Sequence, residues 1–139
     1  LVFRGYGGEE LIHNLLINIP SDKNISLIIV LFLMFILGFV LDFIEIIFIV
    51  IPLFGPTLFS LGFDPVWIGI LIAMVLQTSF MTPPFGFSLF YLRGVAPKTI
   101  PTSEIYKGVY PFIMIQIVVL VLIFMYPEIA TFLPDLIFN

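Results

Sequence analysis

The sequence contains 139 residues, of which 61% are hydrophobic and only 10% are charged. Because soluble domains carry about 25% charged residues, this composition predicts an integral membrane protein in a lipid bilayer. The net charge is −4 and no basic patch is present, which excludes nucleic acid as a partner. The lack of Cys and the single His13 exclude a disulfide framework and a Cys or His metal cluster.

The first predicted element is a short helix at residues 9–19. The chain opens at Leu1 without a signal-peptide pattern, and we interpret it as the C-terminal piece of a longer protein. Apolar residues then recur at helical spacing, beginning with Leu11 and Leu15. A segment this short and mixed in polarity predicts a helix in the membrane interface rather than a span.

The longest apolar stretch, residues 25–63, is too long for one straight membrane helix. At about 1.5 Å per residue it would be about 58 Å long, against about 30 Å for the hydrocarbon core. Its one interruption contains Gly38, Asp42 and Glu45. Because a carboxylate facing lipid costs at least about 2.5 kcal/mol, we expect these acids to face protein, water or an ion. The pattern favours a re-entrant helical hairpin that turns at Gly38 to Asp42. Two full spans would also fit the length, but no solvated loop separates them. A kinked helix with both acids near one interface is a further alternative.

The next apolar segment, residues 65–92, predicts a discontinuous transmembrane helix. Asp64 is suited to cap its start and Pro65 to occupy its first turn. In its middle, residues 77–86 combine hydroxyl-bearing side chains, adjacent prolines and a glycine, which disfavour an uninterrupted helix. Breaks at membrane depth mark the substrate and ion sites of secondary transporters. The candidate pathway residues are Gly38, Asp42, Thr78, Ser79, Thr82, Pro83, Pro84 and Gly86.

The charges near the end of the chain predict its orientation. Residues 93–107 hold three of the five basic residues, so the positive-inside rule places this loop in the cytoplasm. We expect a short interfacial helix over residues 102–110 and the last span over residues 111–127. The tail beyond it carries Glu128 and Asp135 and no basic residue, as expected outside the cell, and the hairpin then opens to the outside.

In this order, the elements are typical of one half of an inverted-repeat, all-α transporter, and four stretches resemble a known family. They are Gly38-x-x-x-Asp42, Ile51-Pro52-x-x-x-Pro56, Leu61 to Trp67, and Thr78 to Gly86. Together they resemble the large membrane subunit of tripartite ATP-independent periplasmic (TRAP) transporters, in which Leu-Gly-x-Asp-Pro and Thr-Pro-Pro-x-Gly recur. Residues 85–97 look most like the branch for mannitol or chloroaromatic compounds.

The resemblance implies a sodium-driven, elevator-type importer of an organic acid or related small solute in the bacterial inner membrane. It implies two partners, a small TRAP membrane subunit and a periplasmic substrate-binding protein. On the family's pattern, the hairpin tip and the unwound middle of the adjoining span hold sodium as the coupling ion, with no other cofactor. The implied sodium residues are Gly38, Asp42, Thr82 and Gly86. Phe85 replaces a small apolar residue of other branches, which argues against a simple C4-dicarboxylate substrate.

A membrane channel or an intramembrane enzyme component is the alternative function. A channel filter needs repeated rings of carbonyls or charges, which one Thr-Pro-Pro does not supply. Asp42 and Glu45 are three residues apart and can meet on one helix face, but no second carboxylate motif or Ser-His pair accompanies them. We therefore predict a transporter subunit without catalytic residues.

Overall fold

The computed structural model describes residues 6, 7, 10, 14, 22–41, 43–83 and 86–138. Every regular element in this part of the chain is helical, which agrees with an all-α protein. The interfacial helix predicted at residues 9–19 falls largely outside the described residues, and Asp42, Pro84 and Phe85 fall outside them as well.

Helix α4 lies at the centre of the described part of the chain, and α1, α5, α6 and α7 pack against it. The elements in chain order are α1 (Lys23–Leu37), α2 (Phe43–Glu45), a π-helical segment (Ile46–Val50), α3 (Ile51–Ser60), α4 (Pro65–Met81), α5 (Phe87–Val95), α6 (Thr102–Met125) and α7 (Glu128–Phe138).

A turn follows α1 at the place where the sequence predicts the hairpin tip. Helix α1 ends at Leu37, and the amides of Val40 and Leu41 both donate to the Leu37 carbonyl, at 2.9 and 2.8 Å. One straight helix through residue 42 is therefore not formed. With 15 residues, α1 is about 22 Å long, which is shorter than a hydrocarbon core of about 30 Å. This length suits a re-entrant arm, and the path of the arm in a membrane stays a prediction.

The segment predicted to form the returning arm of the hairpin, which is helical over residues 43–60, changes helix type just before Pro52. Proline has no amide hydrogen, and its ring crowds the carbonyl four residues earlier, here that of Phe48. The helix widens at this point, and the Ile51 amide donates to the carbonyl of Ile46, five residues back. Proline thus accounts for the π-helical segment, after which the arm continues as α3.

The predicted start of α4 is confirmed. Gly62, in the left-handed region with φ 80°, ends the preceding helix, and Asp64 then caps α4. An Asp64 carboxylate oxygen accepts a hydrogen bond of 2.9 Å from the Trp67 amide, which satisfies one of the amides that a helix start leaves without a partner.

A buried hydrogen bond joins α4 to α6. The Trp67 indole nitrogen donates to the Ile123 carbonyl at 2.8 Å. In a continuing helix that carbonyl would accept from residue 127, but Pro127 has no amide hydrogen. The indole therefore satisfies a carbonyl of α6 that the backbone after it cannot satisfy. The Phe63 and Phe124 rings flank the indole, with centroids 5.7 and 5.8 Å away.

The structure corrects the predicted division into an interfacial helix at residues 102–110 and a separate span at residues 111–127. One helix, α6, runs from Thr102 through Pro111 to Met125. A proline inside a helix removes one backbone hydrogen bond, and apolar membrane helices tolerate this because neighbouring groups and local adjustments re-satisfy the backbone. A proline with apolar neighbours on its C-terminal side was therefore insufficient to end the helix.

Two further boundaries differ from the sequence prediction. Helix α5 continues to Val95 rather than ending at Leu92, and the Arg93 guanidinium then closes the following loop by donating to the Ile100 carbonyl at 2.6 Å. The tail predicted to lie outside the cell forms helix α7, which places Glu128 in its first turn. Its apolar residues are largely exposed, while Ala130 is buried.

One apolar core unites the hairpin arms with α4, and its most deeply buried side chains are Leu27, Met34, Ile46, Leu58, Ile68 and Leu71. The outer faces are also apolar, since Phe32, Phe112 and Ile115 are 64%, 59% and 60% exposed. Among the described helices, α6 alone is long and apolar enough to cross a membrane, and three shorter apolar helices accompany it. These exposed apolar faces suit lipid or further protein rather than water.

Candidate ion and solute site at the helix break

The break in the predicted discontinuous helix lies between α4 and α5. Thr82 adopts an extended conformation, with φ −86° and ψ 124°, because the residue before a proline is pushed out of helical angles. The Thr82 amide still donates to the Ser79 carbonyl at 3.2 Å, and the Gly86 amide donates to the Thr82 carbonyl at 3.0 Å. Helix α5 then begins at Phe87 with Gly86 as its N-cap.

Gly86 lies too close to the end of α4 for any larger residue. A Cβ atom on Gly86 would lie 2.5 Å from the Phe80 carbonyl oxygen and 3.0 Å from the Thr82 carbonyl oxygen. Both are backbone atoms, so neither can rotate away. The glycine thus allows the break to fold back onto the helix end and gathers two carbonyl oxygens near its own backbone.

The hydroxyl groups at the end of α4 donate to carbonyls of their own helix. Thr78 donates to Met74 at 2.7 Å, Ser79 to Leu76 at 2.8 Å, and Thr82 to Thr78 at 2.7 Å. Such back-bonding satisfies buried hydroxyls, and Thr78 and Ser79 are almost fully buried. A hydroxyl that has donated its proton keeps its oxygen lone pairs, so the Thr82 oxygen can still coordinate a cation. Thr82 does not cap α5, because Gly86 is the N-cap residue of that helix.

The hairpin turn packs directly against the end of α4. A Cβ atom added to Gly38 would overlap the Ser79 hydroxyl and lie 2.9 Å from the Ser79 Cβ. Gly38 therefore touches a residue three positions before Thr82, so the two predicted interruptions are neighbours. Asp42, predicted to join them, is outside the described residues, as is Pro84, while Pro83 lies within the break.

A groove of about 530 Å³ lies beside the break, and sequence reasoning did not assign it a role. The returning arm, α4 and α5 line it, and its two polar side chains are Gln77 and Ser88. Gly69, Ala73 and Gln77 share one face of α4 at intervals of four residues, and this spacing was the sequence signal that could have revealed the groove.

Oxygen atoms are the available cation ligands at this site. Among the described residues, no group of three or more His, Cys, Asp or Glu side chains is placed to hold a metal. Glu45, considered above as part of a catalytic pair, is exposed. Carbonyl and hydroxyl oxygens suit hard cations such as sodium better than transition metals.

Comparison with known proteins gives consistent matches. The sequence model of the tripartite ATP-independent periplasmic transporter, DctM component, matches residues 2–129. The ectoine/5-hydroxyectoine TRAP transporter large permease protein of Ruegeria pomeroyi is 34% identical over 124 residues, which are 88% of this chain and 28% of that protein. The ectoine TRAP transporter large permease protein of Halomonas elongata is 36% identical over 70% of this chain and 22% of its own length. The sialic acid TRAP transporter permease protein of Haemophilus influenzae is 33% identical over 75% of this chain and 17% of its own length.

An apolar helical chain with polar residues gathered at a break in its central helix has features that recur in secondary transporters. The family match covers most of the sequence, and this chain belongs to the DctM family, the large permease component of TRAP transporters. It spans about a quarter or less of the length of the relatives described above. Those relatives are named for ectoine and sialic acid, so the resemblance to the mannitol or chloroaromatic branch gains no support.

Proposed function

We propose that this chain is part of a sodium-coupled permease that imports a small organic solute into the cell. The permease would span the bacterial inner membrane several times. Membership of the DctM family supports transport. Because the chain spans 28% or less of each relative described, the activity of the whole protein is an inference from the family and the site. The family name also supports two partners, a periplasmic binding protein that delivers the solute and a small membrane subunit.

The proposed solute is a compact polar molecule, with an organic acid as the main candidate. Relatives named for ectoine and sialic acid support this class. The groove beside the break, about 530 Å³ in volume, falls within the usual size of small-molecule sites. Gln77 and Ser88 provide hydrogen-bonding groups in its otherwise apolar lining.

The contact between Gly38 and Ser79 carries the ion-site proposal. It places the turn after α1 against the end of α4, where the chain leaves the helix at Thr82. Interrupted helices supply carbonyl oxygens that lipid cannot satisfy. A sodium ion held by the Thr82 hydroxyl oxygen, nearby carbonyls and the Gly38–Asp42 turn would satisfy several of these oxygens together.

Sodium binding at this contact would control the movement of the hairpin relative to α4. Sodium bridging the turn and the break would hold the hairpin closed onto α4, and loss of sodium would release it. The Trp67 to Ile123 hydrogen bond ties α4 to α6, so the broken helix and α6 would move as one unit in an elevator mechanism. With the loop at residues 93–107 in the cytoplasm, the hairpin would open to the outside.

Sodium binding to the purified permease that contains this chain tests the proposal. Radioactive sodium would be displaced by unlabelled NaCl at fixed pH and ionic strength. Thr82→Ala removes a hydroxyl oxygen, and we expect the sodium half-saturation to rise at least about tenfold, the scale at which groups around a metal site change affinity. Thr82→Ser retains the hydroxyl and should bind sodium almost normally.

Thr131→Ala is the matched control. Thr131 also donates its hydroxyl to the carbonyl four residues earlier, that of Pro127, but it lies on α7, away from the break. Both alanine variants lose the same kind of back-bond, so a purely structural effect would appear in both. An unchanged half-saturation in Thr82→Ala, at normal protein yield, would remove Thr82 from the ion site. Absence of sodium binding by the unmodified permease would reject sodium coupling altogether.

A further inference from the structure

Gln116 is an isolated polar residue in the apolar part of α6. Helix α6 carries apolar side chains at every position from Phe112 to Met125 except 116. Gln116 therefore lies near the middle of the one described helix that is long enough to span a membrane. A primary amide at that depth is unfavourable unless its donors and acceptors are used.

The surroundings of the Gln116 amide leave its oxygen without a donor. The amide nitrogen donates to the Met81 sulfur at 3.6 Å, and a thioether is a weak acceptor. The amide oxygen is buried and has no hydrogen-bond partner, the one buried side-chain nitrogen or oxygen in this condition among the described residues. Leaving such an acceptor unsatisfied costs about 1–3 kcal/mol. An apolar residue of similar length at this position would avoid that cost.

The position of this amide connects it to the break. Met81 is the last residue of α4, and Thr82 follows it directly. The Gln116 side chain therefore reaches from α6 to the point where the central helix is interrupted. Helix α5, on the other side of the break, also packs against α6, so α6 contacts both helices that flank the break.

We propose that Gln116 is a further oxygen ligand for the cation bound at the break. The proposal rests on the sodium site proposed above and extends it to a third element, α6. A side-chain amide oxygen is a hard ligand of the kind that sodium and calcium accept, and a cation would complete its bonding without a protein donor. In this arrangement, sodium is held by the hairpin turn, the broken helix and the last long helix together.

Sodium binding to the purified permease distinguishes this role from a structural one. In Gln116→Met, side-chain length is kept and the oxygen is removed, so the sodium half-saturation should rise at least about tenfold. In Gln116→Glu, oxygen ligands are retained, so sodium binding should be equal to or tighter than that of the unmodified protein. Ile117→Met is the matched control, because it places the same side chain one position further along the helix, where Ile117 is 41% exposed; its sodium binding should be unchanged.

The outcomes separate this inference from the proposed function. If the unmodified permease and the Thr82 variants behave as proposed but Gln116→Met binds sodium normally, Gln116 is not a ligand and the inference is overturned. If Gln116→Met and Gln116→Glu weaken sodium binding equally, the amide is needed for packing rather than for its oxygen, which also overturns it. If the unmodified permease binds no sodium, the proposed function itself fails. A selective loss in Gln116→Met with retention in Gln116→Glu supports the assignment.

Discussion

Prolines interrupt the chain at opposite ends of the packed helices α4 and α6. The polar groups at the two interruptions are hydrogen-bonded in different ways. At one end, Pro127 deprives the Ile123 carbonyl of an amide, and the Trp67 indole replaces it at 2.8 Å. At the other end, the chain leaves α4 at Thr82, before Pro83, and the hydroxyls of Thr78 and Thr82 donate to carbonyls of their own helix. A donor from another helix bridges the first interruption, whereas the hydroxyl oxygens at the second keep lone pairs that a cation could use.

This difference separates a structural interruption from a candidate site. A freed carbonyl that receives a donor from another helix holds the two helices together. At the break, hydroxyls that have already donated and the unpaired Gln116 amide oxygen nearby are acceptors. A cluster of oxygen acceptors favours a cation, so a proline gives a bridged helix contact at one end of the pair and a proposed ion site at the other.

The largest expected effect comes from Gly86→Ala, which tests whether the break needs its close backbone approach. The new Cβ would lie 2.5 Å from the Phe80 carbonyl oxygen, and backbone atoms cannot rotate away. We expect a loss of roughly 3 kcal/mol in the free energy of unfolding, with loss of sodium binding. Chemical denaturation in detergent measures the first and radioactive sodium the second.

Gly94→Ala is the control for this prediction. A Cβ at Gly94 would meet no atom within 4 Å, and Gly94 lies within α5, so alanine there should be neutral or slightly stabilising. Equal stability of the Gly86→Ala and Gly94→Ala proteins would show that the break does not fold back as described.

A smaller effect is expected from Gly38→Ala, which tests the contact between the hairpin turn and α4. The added methyl group would collide with the Ser79 side chain, which can move in part, so we expect a loss of about 1–3 kcal/mol. Ser79→Ala in the same protein should restore part of the loss, and Ser79→Gly should restore more. Unfolding free energies of the single and double variants measure the coupling, and additive effects would place Gly38 and Ser79 apart.

The smallest effect on sodium binding is expected at the Trp67–Ile123 contact. Trp67→Phe keeps an aromatic ring but removes the donor to the buried Ile123 carbonyl, at a cost of about 1–3 kcal/mol, without a change in sodium half-saturation. Pro127→Ala returns an amide hydrogen to that carbonyl, so Trp67→Phe should cost less in a Pro127→Ala protein. The same cost in both backgrounds would show that the carbonyl does not depend on the indole.

The local signals in the sequence predicted the break and the start of α4 because each depends on adjacent residues. Pro83 excludes helical angles at Thr82, and Asp64 caps the helix that begins next to it. Composition and the length of the apolar stretch likewise predicted a helical membrane protein with a turn near Gly38. The family resemblance followed from the same motifs and is confirmed by the family match.

The features that the sequence did not predict have two causes. Some depend on contacts between residues far apart in the sequence, and one depends on a helix that continues through a proline. Pro111 has the properties of a helix boundary, yet α6 passes through it. The Trp67 indole and its carbonyl partner are separated by 56 positions in the sequence. Gln116 appears in the sequence as a single amide in an apolar run, and only packing shows that it faces the end of α4.

A structure of the complete permease in NaCl, determined by electron cryomicroscopy, tests the central claim most directly. We predict that α4 ends at Met81, that Gly38 packs on Ser79, and that density for an ion lies at coordination distance from the Thr82 hydroxyl oxygen. A second structure in choline chloride should lack that density. A helix that continues unbroken past Thr82, or a sodium ion bound only to residues elsewhere in the protein, would contradict the account.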